Sequence, residues 1–314
     1  MIAFSTNRKS RLPLFFISAL PESGGGYTAR LFDAHPELWV YPFEMQLGTQ
    51  DSSGKLIGYC FQSRYRWPRL KRKVRDAREW HDSIADRELK WYLTNRKTSK
   101  FKGLKLDLAM PEWMRYFQSR IKNAGKNISR SAIIEFYVTS LFESWKNRKK
   151  SNKERAVLGH CPMILYDAQA IFSDFPNAKM LHLIRNPVST FHDTSLRIPR
   201  LNVPEFAKIW KLTALLADSL ARKYPGRFLT ARYEDLISKK KETLKSICRF
   251  FGIRYYPVLE RTTWNGRPLK PGPPFGGIPR PSLAYERSLI ENVSDKIIHK
   301  IKSLTEPASE IYGY

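Results

Sequence analysis

The sequence predicts an α/β fold, a central parallel sheet flanked by helices, on three observations. Short apolar runs read as strands, a helical pattern follows each of them, and no repeat or low-complexity tract interrupts the order. The strand candidates are residues 12–20, 178–184 and 227–232, each carrying β-branched or aromatic side chains. Each passes through a turn or loop into a helical stretch, as parallel strands joined by crossover helices require.

Taken in order, residues 12–20 need the most care. Arg8, Lys9 and Arg11 precede them, which mimics the basic and apolar regions of a signal peptide. The run holds nine residues including Pro13 and continues into Pro21-Glu22-Ser23-Gly24-Gly25-Gly26, not into a small-residue cleavage site. A buried strand feeding a glycine turn is the better reading. A helix over 27–34 follows. Met114, Phe117 and Ile121 share one face of 111–122, and Ser129 is placed to cap a helix with Ile134, Tyr137, Val138, Leu141, Phe142 and Trp145 along one stripe. A helix over 167–175 stops at Pro176. Pro204 opens a helix bearing Phe206, Ile209, Trp210, Thr213, Leu216 and Leu220. Leu244, Ile247, Cys248 and Phe251 form a stripe closed by Gly252, and residues 284–304 read as one last long helix.

Between residues 50 and 155 the strand–helix alternation is lost, and Arg69, Lys71, Arg72, Lys73, Arg75 and Arg78 concentrate there. This reads as a mainly helical insertion in a single domain spanning residues 1–314. The Gly- and Pro-rich stretch 264–281 reads as a loop, either ligand-facing or a solvated connection.

Composition bounds the function. Of 314 residues, 55 are Lys or Arg and 29 are Asp or Glu, giving a formal charge of +26; the 42% hydrophobic content excludes wholesale disorder. Such charge implies a polyanionic partner: nucleic acid, an anionic membrane surface, or ligands bearing phosphate or sulfate. No helix–turn–helix, zinc finger or RNP-like signature is present, so nucleic acid is the weakest of these readings. Cys60, Cys161 and Cys248 are too few and too scattered for a disulfide framework, and no Cys/His cluster has zinc spacing. No metal is expected, and a reducing, cytoplasmic location is. No run reaches the ~18 apolar residues of a membrane span.

A strand, then Ser23-Gly24-Gly25-Gly26, then a helix is a physical recipe for holding a phosphate, because backbone N–H groups converge on one anion at a positive helix end. The alternative is a tight strand–helix connection. Tyr27 and Thr28 follow the glycines where a Walker A loop needs Lys, which disfavours ATP or GTP hydrolysis.

The segment from Pro21 to Gly26, running on to Leu31-Phe32-Asp33-Ala34-His35-Pro36, resembles the sulfotransferase family. That family's phosphosulfate loop reads Pro-[Lys/Arg]-Ser-Gly-[Thr/Gly]-Thr. The resemblance recurs at Leu181-His182-Leu183-Ile184-Arg185-Asn186-Pro187, at Arg232-Tyr233-Glu234-Asp235-Leu236, and at Phe250-Phe251-Gly252. It implies a P-loop-like fold and the donor 3′-phosphoadenosine 5′-phosphosulfate (PAPS), leaving 3′-phosphoadenosine 5′-phosphate (PAP). It implies that Ser23, Gly24, Gly25, Gly26, Tyr27 and Thr28 cradle the 5′-phosphosulfate and that Arg185 grips the 3′-phosphate. Tyr233 lies against the adenine or packs the sheet, and Arg267 or Lys270 closes over the 3′-phosphate.

The acceptor hydroxyl or amine needs a general base. His160, in Gly159-His160-Cys161-Pro162, matches the position of the His or Lys in other members, and Glu44 lies within one residue of the carboxylate base of the tyrosylprotein branch. Asp107 is a weaker third candidate. Two residues depart from the pattern: Glu22 stands where the family carries Lys or Arg, and Asp193 replaces a Ser, where it would repel a phosphate unless it orients Arg185 instead. The implied function is sulfuryl transfer from PAPS to a small-molecule or anionic glycan acceptor. The alternative is a sulfotransferase-like nucleotide- or glycan-binding protein with impaired catalysis. The acceptor site is expected in the 50–155 region, whose basic residues suit a glycan and whose Trp67, Trp80, Trp91, Trp113 and Trp145 suit a flat small molecule or ordinary core.

Overall fold

The computed structural model describes residues 2–3, 12–50, 56–57, 67–70, 73–99, 101–125, 127–269 and 281–314. Its centre is a five-stranded, wholly parallel sheet: β1 (Leu14–Ala19), β2 (Leu38–Glu44), β3 (Ala156–His160), β4 (Lys179–Ile184) and β5 (Phe228–Arg232), in spatial order β2-β3-β1-β4-β5. β1 lies in the middle, and all six of its residues are buried. Its run is apolar on both faces because both faces are covered. Leu14 and Phe16 enter one core cluster while Phe15, Ile17 and Ala19 enter another, the two-residue alternation of a strand.

Twelve helices are described: α1 (Gly25–Phe32), α2 (Ala77–Ser83), α3 (Arg87–Thr94), α4 (Met110–Ala124), α5 (Arg130–Ser144), α6 (Ala168–Asp174), α7 (Pro187–Ser195), α8 (Val203–Lys223), α9 (Tyr233–Ser238), α10 (Lys240–Phe251), α11 (Leu283–Glu291) and α12 (Asp295–Thr305). Ser129 caps α5 as its sequence position predicts, accepting from the Ala132 N–H at 3.1 Å, and Gly252 ends α10 at φ 72°. The 284–304 stretch is two helices, not one. It breaks at Asn292–Val293–Ser294, where Asn292 Nδ2 donates to the Ser288 carbonyl and Val293 turns inward to 8% exposure.

α2 to α5 all fall between β2 and β3, so the region is mainly helical where described, with two short antiparallel pairings: Leu56–Ile57 on Thr49–Gln50 and Lys73–Val74 on Ile2–Ala3. Trp80, Trp113 and Tyr137 from these helices join the same apolar cluster as Leu14 and Phe16 of the sheet. Of the five tryptophans between residues 50 and 155, Trp67, Trp80, Trp113 and Trp145 are buried, and Trp91 is 48% exposed. No described helix is long and apolar enough to cross a membrane.

Candidate active site

The β1–α1 turn sits at the C-terminal edge of the sheet, where open α/β sheets place ligands. Ser23 closes it by donating its N–H to the Leu20 carbonyl at 3.1 Å. Gly24 takes φ 84°, a conformation glycine enters without strain. Side chains are sterically excluded here: a Cβ on Gly24 would lie 2.3 Å from the Tyr233 ring, and one on Gly25 would lie 2.2 Å from His160 Nε2. Gly26 has open space beside it. The first N–H groups of α1 have no intrahelical acceptor, and the helix dipole adds positive character to them. Ser23 Oγ is buried and makes no hydrogen bond. Thr28 instead turns both its N–H and its hydroxyl onto the Gly24 carbonyl, each at 2.9 Å, and so braces the turn. Tyr27 is partly buried against the core on the α1 face.

On one side of the turn stand the two candidate bases. His160 ends β3 and pairs in register with Glu44, which ends β2. The Met45 N–H donates to the His160 carbonyl at 2.7 Å and ties the strand ends together. Burial pushes the imidazole down to about 4 against the pull of Glu88, so it is neutral near pH 7 and free to take a proton. Glu44 is half-buried and accepts from Gln46 Nε2, while its N–H donates to Glu88 Oε2 at 3.3 Å. Asp107 joins neither; it is exposed before α4, its N–H held by Asn147 Oδ1 at 2.9 Å.

Across the turn lies Arg185, just beyond β4 and 0% exposed. Its Nε and Nη2 donate to the two carboxylate oxygens of Glu286 at 2.8 and 2.7 Å, and its Nη1 donates to Asp193 Oδ2 at 2.8 Å and to the Glu22 carbonyl. Its guanidinium lies 5.1 Å from the centre of the Tyr233 ring. Burial opposes the Arg185 charge, but the carboxylates outweigh it and hold the proton more firmly. Tyr233, fully buried, thus stands between Gly24 and Arg185, and its hydroxyl has no partner. Ser189 Oγ on α7, also fully buried, has none either.

Glu22 carries the carboxylate the sequence left unexplained. It pairs with Arg197 Nη1 at 2.9 Å. Burial raises the Glu22 carboxyl, and Arg197 partly offsets the effect. A cation therefore stands beside the loop after all, contributed by the turn after α7. Arg267 is not brought to this site. Its short strand pairs with Thr263–Trp264, and that hairpin is held by Asp33 Oδ2 at the far end of α1, about 12 Å along the helix from the glycines. Lys270 lies outside the described residues. Glu286, Arg197 and Glu88 meet Arg185, Glu22 and Glu44, and the sequence reading singled out none of them. A search for a cation to balance Glu22 would have raised Arg197, one helical turn past Asp193; no comparable signal marks Glu286. No group of His, Cys, Asp and Glu suited to a metal occurs among the described residues.

A family model described as the Sulfotransferase family matches residues 13–257. The chain belongs to the sulfotransferase family. Solved sulfotransferases share its fold. The sulfotransferase domain of the Synechococcus PCC 7002 olefin synthase superposes with a TM-score of 0.60 at 17% identity, over 99% of this chain and 98% of that one. The sulfotransferase domain from the curacin biosynthetic pathway does so with a TM-score of 0.52 at 16% identity, over 96% of this chain and 99% of that one. No curated protein matches by sequence. Within this sulfotransferase the glycine turn, a neutral imidazole and a buried guanidinium converge on the end of β1 and its two neighbours.

Proposed function

We propose that this sulfotransferase moves a sulfuryl group from PAPS to a hydroxyl or amine of a small-molecule or anionic glycan acceptor by in-line displacement. The observation that carries this reading is the Ser23 hydroxyl, buried and unpartnered in a glycine turn that admits no Cβ at Gly24 or Gly25 and lies against His160. The first-turn N–H groups of α1 and the Ser23 hydroxyl donate to the 5′-phosphosulfate, and the helix dipole favours its charge. Arg185 serves the 3′-phosphate, with the Ser189 hydroxyl beside it. Tyr233 keeps the two ends of the site at a fixed separation.

His160 accepts the acceptor's proton as the new bond to sulfur forms and the bond from sulfur to the bridging phosphate oxygen breaks. The electron pair of that broken bond leaves with PAP, and the proton rests on the imidazole. Glu44, in register beside it, is the competing base, and either residue orients the other. Calorimetry with PAP tests the donor half, where binding is expected and a folded protein that binds none would sink the reading. Incubation with sulfur-labelled PAPS and a panel of glycans, phenols and amines tests the transfer half through label appearing on an acceptor.

A further inference from the structure

Arg185 is the most heavily paired cation of the site, and two of its partners are acids. Glu286 meets it with both carboxylate oxygens, at 2.7 and 2.8 Å, the planar two-point contact that a phosphate also makes with a guanidinium. Beside this pair, Ser189 lies one helical turn before Asp193 and so shares its face of α7. The Ser189 hydroxyl is fully buried with nothing to bond, a donor present where no acceptor reaches it.

Two carboxylates around one guanidinium already exceed its charge, so a phosphate dianion cannot join them without expelling one. Asp193 is fixed within α7, eight positions from Arg185, a helix whose buried residues also include Val188, Ser189, Thr190 and Phe191. Glu286 comes from α11, a nine-residue helix that buries only Glu286 itself and Leu289. The lightly held partner is therefore Glu286.

We propose that Glu286 is a built-in competitor for the 3′-phosphate of the donor. Its carboxylate holds the Arg185 fork in the free protein and is displaced, together with α11, when a 3′-phosphorylated nucleotide binds. The proposal rests on the nucleotide reading above. It makes α11 a reporter of nucleotide occupancy and turns the Ser189 hydroxyl toward the incoming phosphate once the carboxylate has left.

The test is calorimetry of PAP and of adenosine 5′-monophosphate on the full chain and on Glu286→Gln and Glu286→Ala. The glutamine keeps the shape and an accepting oxygen, so it serves if the alanine fails to fold. Where the carboxylate-bound state dominates the free protein, removing it raises PAP affinity by about tenfold or more. Adenosine 5′-monophosphate, which has no 3′-phosphate, binds the wild type and the variants alike. In the wild type, PAP also speeds amide hydrogen exchange across α11. Equal PAP affinity in wild type and Glu286→Gln, or weaker binding by a folded variant, overturns the competitor and leaves the nucleotide site standing. Absence of PAP binding by all three proteins overturns both.

Discussion

The two sides of the β1–α1 turn are built on opposite principles. The glycine turn is a cradle of unused donors: first-turn N–H groups, the orphan Ser23 hydroxyl, and two positions where any side chain would collide. The Arg185 side is closed on itself, with a buried cation already satisfied by Glu286, Asp193 and the Glu22 carbonyl. An empty cradle binds by supplying bonds not yet made. A closed cluster binds only by exchanging bonds it already has, which lowers affinity while raising discrimination. Glu22 belongs to both sides at once, through its carbonyl on Arg185 and its carboxylate on Arg197.

Removal of the base sharpens this contrast most. His160→Ala is expected to lower kcat by about 10²- to 10⁴-fold while PAP binding survives, and single-turnover rates set against calorimetry would show the split. Next comes Gly25→Ala, whose Cβ would lie 2.2 Å from His160 Nε2. Misplacement of the loop against the imidazole predicts a loss of about 10²-fold in kcat/KM, with PAP affinity reduced as well.

The pH profile probes the same residue without a mutation. Burial lowers the imidazole from 6.5 to about 4, so it stays unprotonated until the medium is acid. If His160 is the base, kcat/KM stays level from pH 7 downward and falls only near pH 4. A fall centred near pH 6.5 would remove His160 from that role. The smallest effect is expected at Arg197. Its pair with Glu22 is half in solvent, so Arg197→Ala should cost at most about fivefold in kcat/KM, and Glu22→Gln in the same background should recover part of it.

Sequence reasoning found β1, β4 and the edge strand β5 but missed the opposite flank, β2 and β3, for physical reasons. β1 and β4 are apolar runs that no solvent-facing alternation interrupts, whereas β2 contains Pro42 and β3 contains Gly159. Pro42 is tolerated because β2 is an edge strand whose register with β3 shifts between Val40 and Glu44. Gly159 is required because a Cβ there would lie 2.3 Å from Met45 Sδ. Each residue reads locally as a strand breaker and is explained only by its neighbour across the sheet. The site divides in the same way. Ser23 to Thr28, His160 and Arg185 were visible as motifs. Glu286 meets Arg185 across 101 positions of sequence, a contact that tertiary packing alone creates. Asp193 fell between: its spacing from Arg185 marked it as a misfit, and its carboxylate proves to rest on that arginine.

The strand order has a consequence for how such a chain changes over time. β1 holds the middle, with β3 delivering His160 on one side and β4 leading to Arg185 on the other. In chain order residues 45–155 fall between β2 and β3, the strand that ends in His160, while α7, α9 and α11 gather around Arg185. Grafting residues 45–155 from another sulfotransferase of this fold would exchange the surroundings of the base without replacing any side chain that bonds Arg185, provided the graft again supplies partners for Asp167 and Asp174, which Trp67 and Arg130 hold here.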